Sequence, residues 1–108
     1  MSLGGASIPQ TLTLEQKKAH VWSMCRTIPG YDPSIWRMDC NDAVIRWSDH
    51  GNRQSDYGWE VDHIIPVVVG GGDHAMNLRA LHWRTNATAG GVLGGLAALG
   101  RGGLGGNR

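Results

Sequence analysis

The chain has no Cys-x-x-Cys pair, no long apolar run and almost no net charge. Each of these lacks removes a class of protein. Cys25 and Cys40 are its two cysteines, and two thiols close at most one disulfide, so a framework of several disulfides is excluded. With nothing at the N-terminus that reads as a secretory signal, the expectation is reduced thiols in a cytoplasmic protein. An apolar run of about 20 residues is needed to span a bilayer, and none is present, so no membrane partner is expected. A net charge of +1 over 108 residues supplies no general attraction to polyanions. Between Trp36 and Asn86 the balance is acidic: Arg37, Arg46, Arg53, Arg79 and Arg84 stand against Asp39, Asp42, Asp49, Asp56, Glu60, Asp62 and Asp73. If this chain meets nucleic acid, a site must carry the inference, because the overall charge does not.

The segment 13–89 is where a packed domain can form, and a core of that size is marginal without a metal, a partner or a larger host protein. Residues 1–12 carry no periodic signal and read as a flexible N-terminal segment. Thr13-Leu-Glu-Gln16 fits a capping box, which predicts a helix from there to about Thr27, where Ile28-Pro29-Gly30 stops it. Leu14, Ala19, Trp22 and Cys25 mark its expected buried side, with Val21 and Met24 flanking, and Lys17 and Lys18 are expected to face water. Trp36–Asp39 and Ala43–Trp47 read as a short β-hairpin, and 48–58 as a loop. Trp59–Ile64 is the strongest strand candidate. Pro66 ends it, Gly70-Gly-Gly-Asp73 forms an excursion, a second strand follows at about Leu78–Leu81, and a helix is expected over His82 to about Ala89. From 90 to 108, nine glycines in 19 residues disfavour any regular element on entropic grounds, which predicts a flexible tail.

The chemistry gathers in Trp59-Glu-Val-Asp-His63 and the residues that follow it. Asp62 and Asn86 offer a carboxylate and an amide carbonyl, oxygen donors of the kind Mg²⁺ accepts. His63, beside Asp62, is a candidate general base for deprotonating water near neutral pH. Adjacent residues on a strand start on opposite faces, so a bulge or bend near Pro66 is expected to turn both toward one cation. His82 precedes Asn86 by four residues, which on a helix puts both on one face. It reads as a further ligand, a phosphate contact or a helix N-terminal residue. His74 reads as solvent- or substrate-facing. Trp36, Trp47, Trp59 and Trp83 are the natural contributors to packing.

The run from Asp62-His63 through Asn77 to Asn86, spaced by 14 and then 9 residues, resembles the HNH nuclease family in its HNN form. The stretch from Tyr31 through His63 is also similar to a bacterial and phage HNH subgroup. The resemblance implies an α+β fold, a small ββα-metal module (motif core 57–89) with the N-terminal helix and extra hairpin packed around it. It implies a DNA endonuclease that hydrolyses phosphodiesters, with DNA as partner and a phage or larger nuclease assembly as setting. His63 would be the base, Asn77 would tie the glycine loop that holds it, and Asp62 and Asn86 would hold one divalent ion (Mg²⁺, with Mn²⁺ or Ni²⁺ as alternatives). Some relatives use a histidine at the place of His82 as an additional ligand. The sequence departs from the family twice. It lacks the paired Cys-x-x-Cys motifs, so no structural zinc is expected, and it lacks the lysine common after the last motif residue, a role Arg53, Arg79 and Arg84 are expected to share in contacting DNA. That missing lysine and the acidic core keep two rivals in view: a catalytically degenerate nucleic-acid-binding module, and a metal-stabilised interaction domain tethered by its tail.

Overall fold

The computed structural model describes residues 11–89. The expectations for residues 1–10 and for the tail 90–108 lie outside the described residues. At Thr13 the capping box forms in both directions. Thr13 Oγ1 accepts from the Gln16 backbone N–H at 3.1 Å, and Gln16 Oε1 accepts from the Thr13 N–H at 2.8 Å. This satisfies two donors that a helix start otherwise leaves bare. The helix that follows, α1, runs Leu14–Ser23 and stops short of the expected Thr27. Its end is set from a distance. Arg37 donates through one guanidinium nitrogen to the carbonyls of Trp22 at 3.2 Å and Cys25 at 3.3 Å, taking up acceptors at the helix C-terminus. The chain then extends, and Arg26–Thr27 form a strand, β1, that the sequence did not suggest.

β1 pairs antiparallel with β2 (Trp36–Met38), which pairs antiparallel with β3 (Val44–Arg46), so the expected hairpin is the larger part of a three-stranded sheet. Asp39 closes the β2–β3 turn. Its Oδ1 accepts from the N–H groups of Asn41 and Ala43, both at 2.9 Å, and Asp42 takes the left-handed conformation at φ 65°. The other oxygen of Asp39 accepts from the His82 N–H at 2.8 Å. Asp39 is only 1 % exposed, so this carboxylate joins the two sheets from inside the molecule.

The second sheet is the hairpin β4 (Trp59–His63) and β5 (Leu78–His82), in register from Trp59 opposite His82 to His63 opposite Leu78. α2 follows at Trp83–Ala89. Paired residues share a face, and alternation then sorts the hairpin. Trp59, Val61 and His63, with Leu78, Ala80 and His82, lie on one face. Glu60 and Asp62, with Arg79 and Leu81, lie on the other. The first face packs on α1, where Val21 and Trp22 meet Ile45, Trp59, Leu78 and Ala80 in the buried core. Trp22, Trp47 and Trp59 form a mutual cluster with ring centroids 5.4 to 5.7 Å apart. The Trp59 indole N–H donates to the Arg46 carbonyl at 2.8 Å, so its burial leaves no donor unpaired. Trp36 instead meets Tyr57 edge-on, and Trp83 stacks on His82, so these two extend the packing outside that cluster.

Two expectations about α1 fail. Leu14 and Ala19 are exposed, whereas Lys17 and Lys18 are largely covered, with side chains 19 % and 15 % exposed. Lys18 lies over the Trp47 ring at 4.9 Å, and Lys17 reaches Asp73 at 2.7 Å. Long aliphatic stems cover apolar surface while the charged ends find partners, which a simple apolar–polar count does not anticipate.

The loop before β4 is tied by another carboxylate. Asp49 is 8 % exposed and accepts from Ser55 Oγ at 2.6 Å and Arg46 Nε at 3.0 Å. The Ser55 hydroxyl, with Arg46 adding to it, holds its carboxyl below the ordinary carboxylate range. A depressed folded-state pKa stabilises the protein above the unfolded value of about 3.9, and that gain fades as pH falls through the folded value. Asp49→Asn is therefore expected to lower Tm at pH 7 and to differ progressively less from the parent below about pH 4. Thermal melts across that range check it.

Candidate active site

β4 carries the candidate residues, and its geometry divides them. The strand pairs continuously with β5 through His63, and the chain bends only at Ile64–Ile65, past both Asp62 and His63. Strand alternation is thus kept, and the two side chains leave opposite faces of the hairpin at its end. The expected bend lies near Pro66, but it does not turn both groups to the same side.

On the α2 face, Asp62 Oδ2 accepts from Arg79 Nε at 2.9 Å across the strand pair. Two residues earlier on that face lies Glu60, which the sequence reading passed over. Its carboxylate receives both Nε and Nη2 of Arg53, at 2.6 and 2.7 Å, and also Nδ2 of Asn86 from α2 at 2.7 Å. Arg53 first, and Asn86 with it, hold the Glu60 carboxyl below its usual range. An ionised carboxylate accepts only, so Asn86 must present its amide nitrogen to Glu60, and its carbonyl oxygen is turned away from that partner. The pattern Glu-x-Asp on one strand was the signal available: alternate positions share a face.

On the α1 face, His63 Nε2 lies 3.0 Å from Asp73 Oδ1 in the glycine excursion. The other oxygen of Asp73 accepts from Lys17 Nζ at 2.7 Å. Hydrogen bonds from Lys17 and then His63 hold the Asp73 carboxyl below its ordinary value. His74, next in the chain, is exposed.

Asn77, 6 % exposed, spans the mouth of the excursion. Its amide donates to the carbonyls of Ile65 at 3.0 Å and Gly72 at 2.7 Å, its Oδ1 accepts from the Ile65 N–H at 2.8 Å, and its backbone carbonyl accepts from the Ile64 N–H at 2.8 Å. Both sides of the loop, and with them the backbone just after His63, are fixed by one side chain. Gly71 allows the closure, because a β-carbon there would run into the Ile65 carbonyl.

His82 occupies a different place from the one expected. It ends β5 rather than starting α2, so the helical four-residue spacing to Asn86 does not apply. Its ring is buried at 5 % exposure and both nitrogens are engaged. Nε2 meets the Asp56 carbonyl at 2.7 Å, and Nδ1 accepts from the Arg84 N–H at 3.0 Å in the manner of a helix N-cap. A ring with its one lone pair on Arg84 has none left for a metal.

The three arginines expected to contact DNA each face a carboxylate: Arg53 on Glu60, Arg79 on Asp62, and Arg84 on Asp56 at 2.6 Å. Among the described residues no three His, Cys, Asp or Glu side chains gather closely enough to hold an ion by themselves. Asp62 and the Asn86 carbonyl nevertheless offer hard oxygen donors on the same face of the hairpin, and Mg²⁺ is commonly held by one or two protein oxygens with water filling the rest. The donor chemistry fits such an ion.

Residues 45–90 match the family model for HNH endonuclease, a stretch that begins in β3 and takes in the whole hairpin and α2. This segment is therefore similar to the HNH endonuclease family. No curated protein and no solved structure gives a significant match.

Replacing Asn77 by alanine leaves the part-buried Ile65 N–H and two carbonyls without their partner, at up to about 1–3 kcal/mol for any of these groups that water does not reach. Asn77→Ala is expected to lower Tm and to raise amide exchange selectively over Ile64–Asp73. Exchange that rises uniformly would show that Asn77 supports the whole fold rather than the loop. His82→Ala is expected to lower Tm through loss of the junction it ties, with Mn²⁺ affinity unchanged by calorimetry.

Proposed function

We propose that the chain is a metal-dependent DNA endonuclease module of the HNN type, related to bacterial and phage HNH proteins. The observation that carries this reading is the arrangement inside the family-matched segment: His63 ends β4 beside Asp62, while Asn86 is fastened to the same strand through Glu60. A scissile phosphate lying across the end of the hairpin meets one face's donors and the other face's base. Asp62 and the Asn86 carbonyl would hold the ion, with Glu60, which takes the Asn86 amide NH₂, setting the direction of that carbonyl. A divalent ion bound there supplies charge neutralisation at the phosphoryl oxygens and stabilises the departing 3′ oxygen. His63 takes the proton of the attacking water at a ring nitrogen, and Asn77 keeps the backbone beneath it in place. Arg79 pairs with Asp62 at 2.9 Å, so a cation held at Asp62 would have to share that carboxylate with the guanidinium, a group whose chemistry also suits phosphate.

A second reading has its own support. Arg53, Arg79 and Arg84 are each paired with a carboxylate, and the chain has no lysine in the turn after Asn86. A module that binds nucleic acid without cutting it fits those two facts.

Nicking of supercoiled plasmid with Mg²⁺, Mn²⁺ or Ni²⁺, against a chelator control, separates the readings. Activity in the parent protein is expected with at least one ion. His63→Ala is expected to lose about 10²–10⁴ in rate while its calorimetric metal affinity stays near that of the parent. Asp62→Ala is expected to lose both. Metal binding without nicking by the parent under every ion supports the non-cutting module.

A further inference from the structure

The contact between His63 and the glycine excursion extends beyond the two residues. Asp73 Oδ1 lies 3.0 Å from His63 Nε2, and Asp73 Oδ2 lies 2.7 Å from Lys17 Nζ. Lys17 belongs to α1, 56 residues away in sequence, and its side chain is only 19 % exposed. The three side chains thus form a line from the N-terminal helix to the end of β4. We infer that Asp73 and Lys17 are positioning residues for His63: Asp73 fixes the ring as its Nε2–H tautomer, leaving Nδ1 as the proton acceptor, and Lys17 fixes Asp73. This rests on the endonuclease reading for its catalytic meaning.

The chemistry leaves little choice of tautomer. An ionised carboxylate accepts hydrogen bonds and does not donate, so a neutral His63 facing Asp73 through Nε2 carries its proton on that nitrogen. Nδ1 then holds the lone pair, and among the described residues it has no hydrogen-bond partner. When water is deprotonated, the proton passes to Nδ1 and the hydroxide attacks phosphorus. The imidazolium so formed sits against a negative carboxylate, as the orienting carboxylate does in a hydrolase triad. Asp73 itself stands on a loop, is 46 % exposed at its side chain, and a free loop aspartate is a poor anchor. Lys17 and the Asn77 tie at Gly72 supply what the loop lacks. An ion pair with one partner this open to solvent adds little to stability, so its value lies in direction.

The test uses the full chain, ¹⁵N-labelled, with the His63 ring nitrogens observed at a pH where their own ¹⁵N shifts show the ring to be neutral. In the parent, Nε2 is expected to carry the proton. In Asp73→Ala the two tautomers are expected to mix, and nicking kcat is expected to fall about tenfold to hundredfold with KM within about twofold. Asp73→Glu, which keeps a carboxylate that can accept from Nε2–H, is expected to recover part of that loss and controls for disturbed folding. Lys17→Met is expected to lower kcat in the parent but not further in Asp73→Ala, because both act through one contact. An unchanged His63 tautomer or an unchanged kcat in Asp73→Ala overturns the inference. A parent that never nicks DNA defeats the endonuclease reading instead, and the tautomer measurement still decides whether Asp73 directs the ring.

Discussion

Side-chain alternation along β4 is the constraint on which the rest of the molecule depends. Five residues, Trp59 to His63, are divided between two sides by nothing more than the pleat of a strand. The apolar members, Trp59 and Val61, are drawn to α1 and the tryptophan cluster. That leaves Glu60 and Asp62 on the side of α2, whatever their chemistry prefers. A one-residue slip in the β4–β5 register would bury the carboxylates and expose Trp59, which is 0 % exposed. The core therefore fixes the site: the same packing that hides Trp59 decides which helix each polar group can reach.

This division gives each helix a separate part in the site. α1 supplies Lys17 to the His63 side, and α2 supplies Asn86 to the Asp62 side. Each polar side chain is then held by a second one: Asn86 by Glu60, Glu60 by Arg53, and His63 by Asp73. Held groups lose less entropy when a ligand arrives, so the arrangement favours a preset geometry over one assembled on binding. The acidity of the segment takes on meaning here. Arg53, Arg79 and Arg84 pair with Glu60, Asp62 and Asp56 instead of forming an open basic surface, and any cation or phosphate binding there would have to compete with those pairs. Exposed pairs of this kind are weak enough to be exchanged.

The parts of the fold legible in the sequence were those set by local signals. The Thr13–Gln16 cap and the β2–β3 and β4–β5 strands follow from residues within a few positions of one another, and the α+β class from the family resemblance. The parts that were not legible depend on distant partners. α1 ends early because Arg37 takes its carbonyls, and Arg26–Thr27 become a strand because β2 is there to pair with. His82 looked like a helical residue four before Asn86, yet Asp39, 43 residues earlier, holds its backbone at the end of β5. Within the site, the motif spacing drew attention to Asp62, His63, Asn77 and Asn86. Spacing says nothing of what holds them: Glu60 had a signal in its alternation with Asp62, while Asp73 and Lys17 emerge only from the packed structure.

The central claim is that a divalent ion sits on the α2 face of the hairpin, at Asp62 and Asn86. Titration with Mn²⁺, followed by paramagnetic broadening in NMR spectra of the full chain, tests it most directly. The Asn86 side-chain NH₂ and the Asp62 and Arg79 signals are predicted to broaden first, while the His82 ring and the Trp22 indole stay sharp longer. Early broadening at His82 with Asn86 spared, or no site-specific broadening at all, would contradict it.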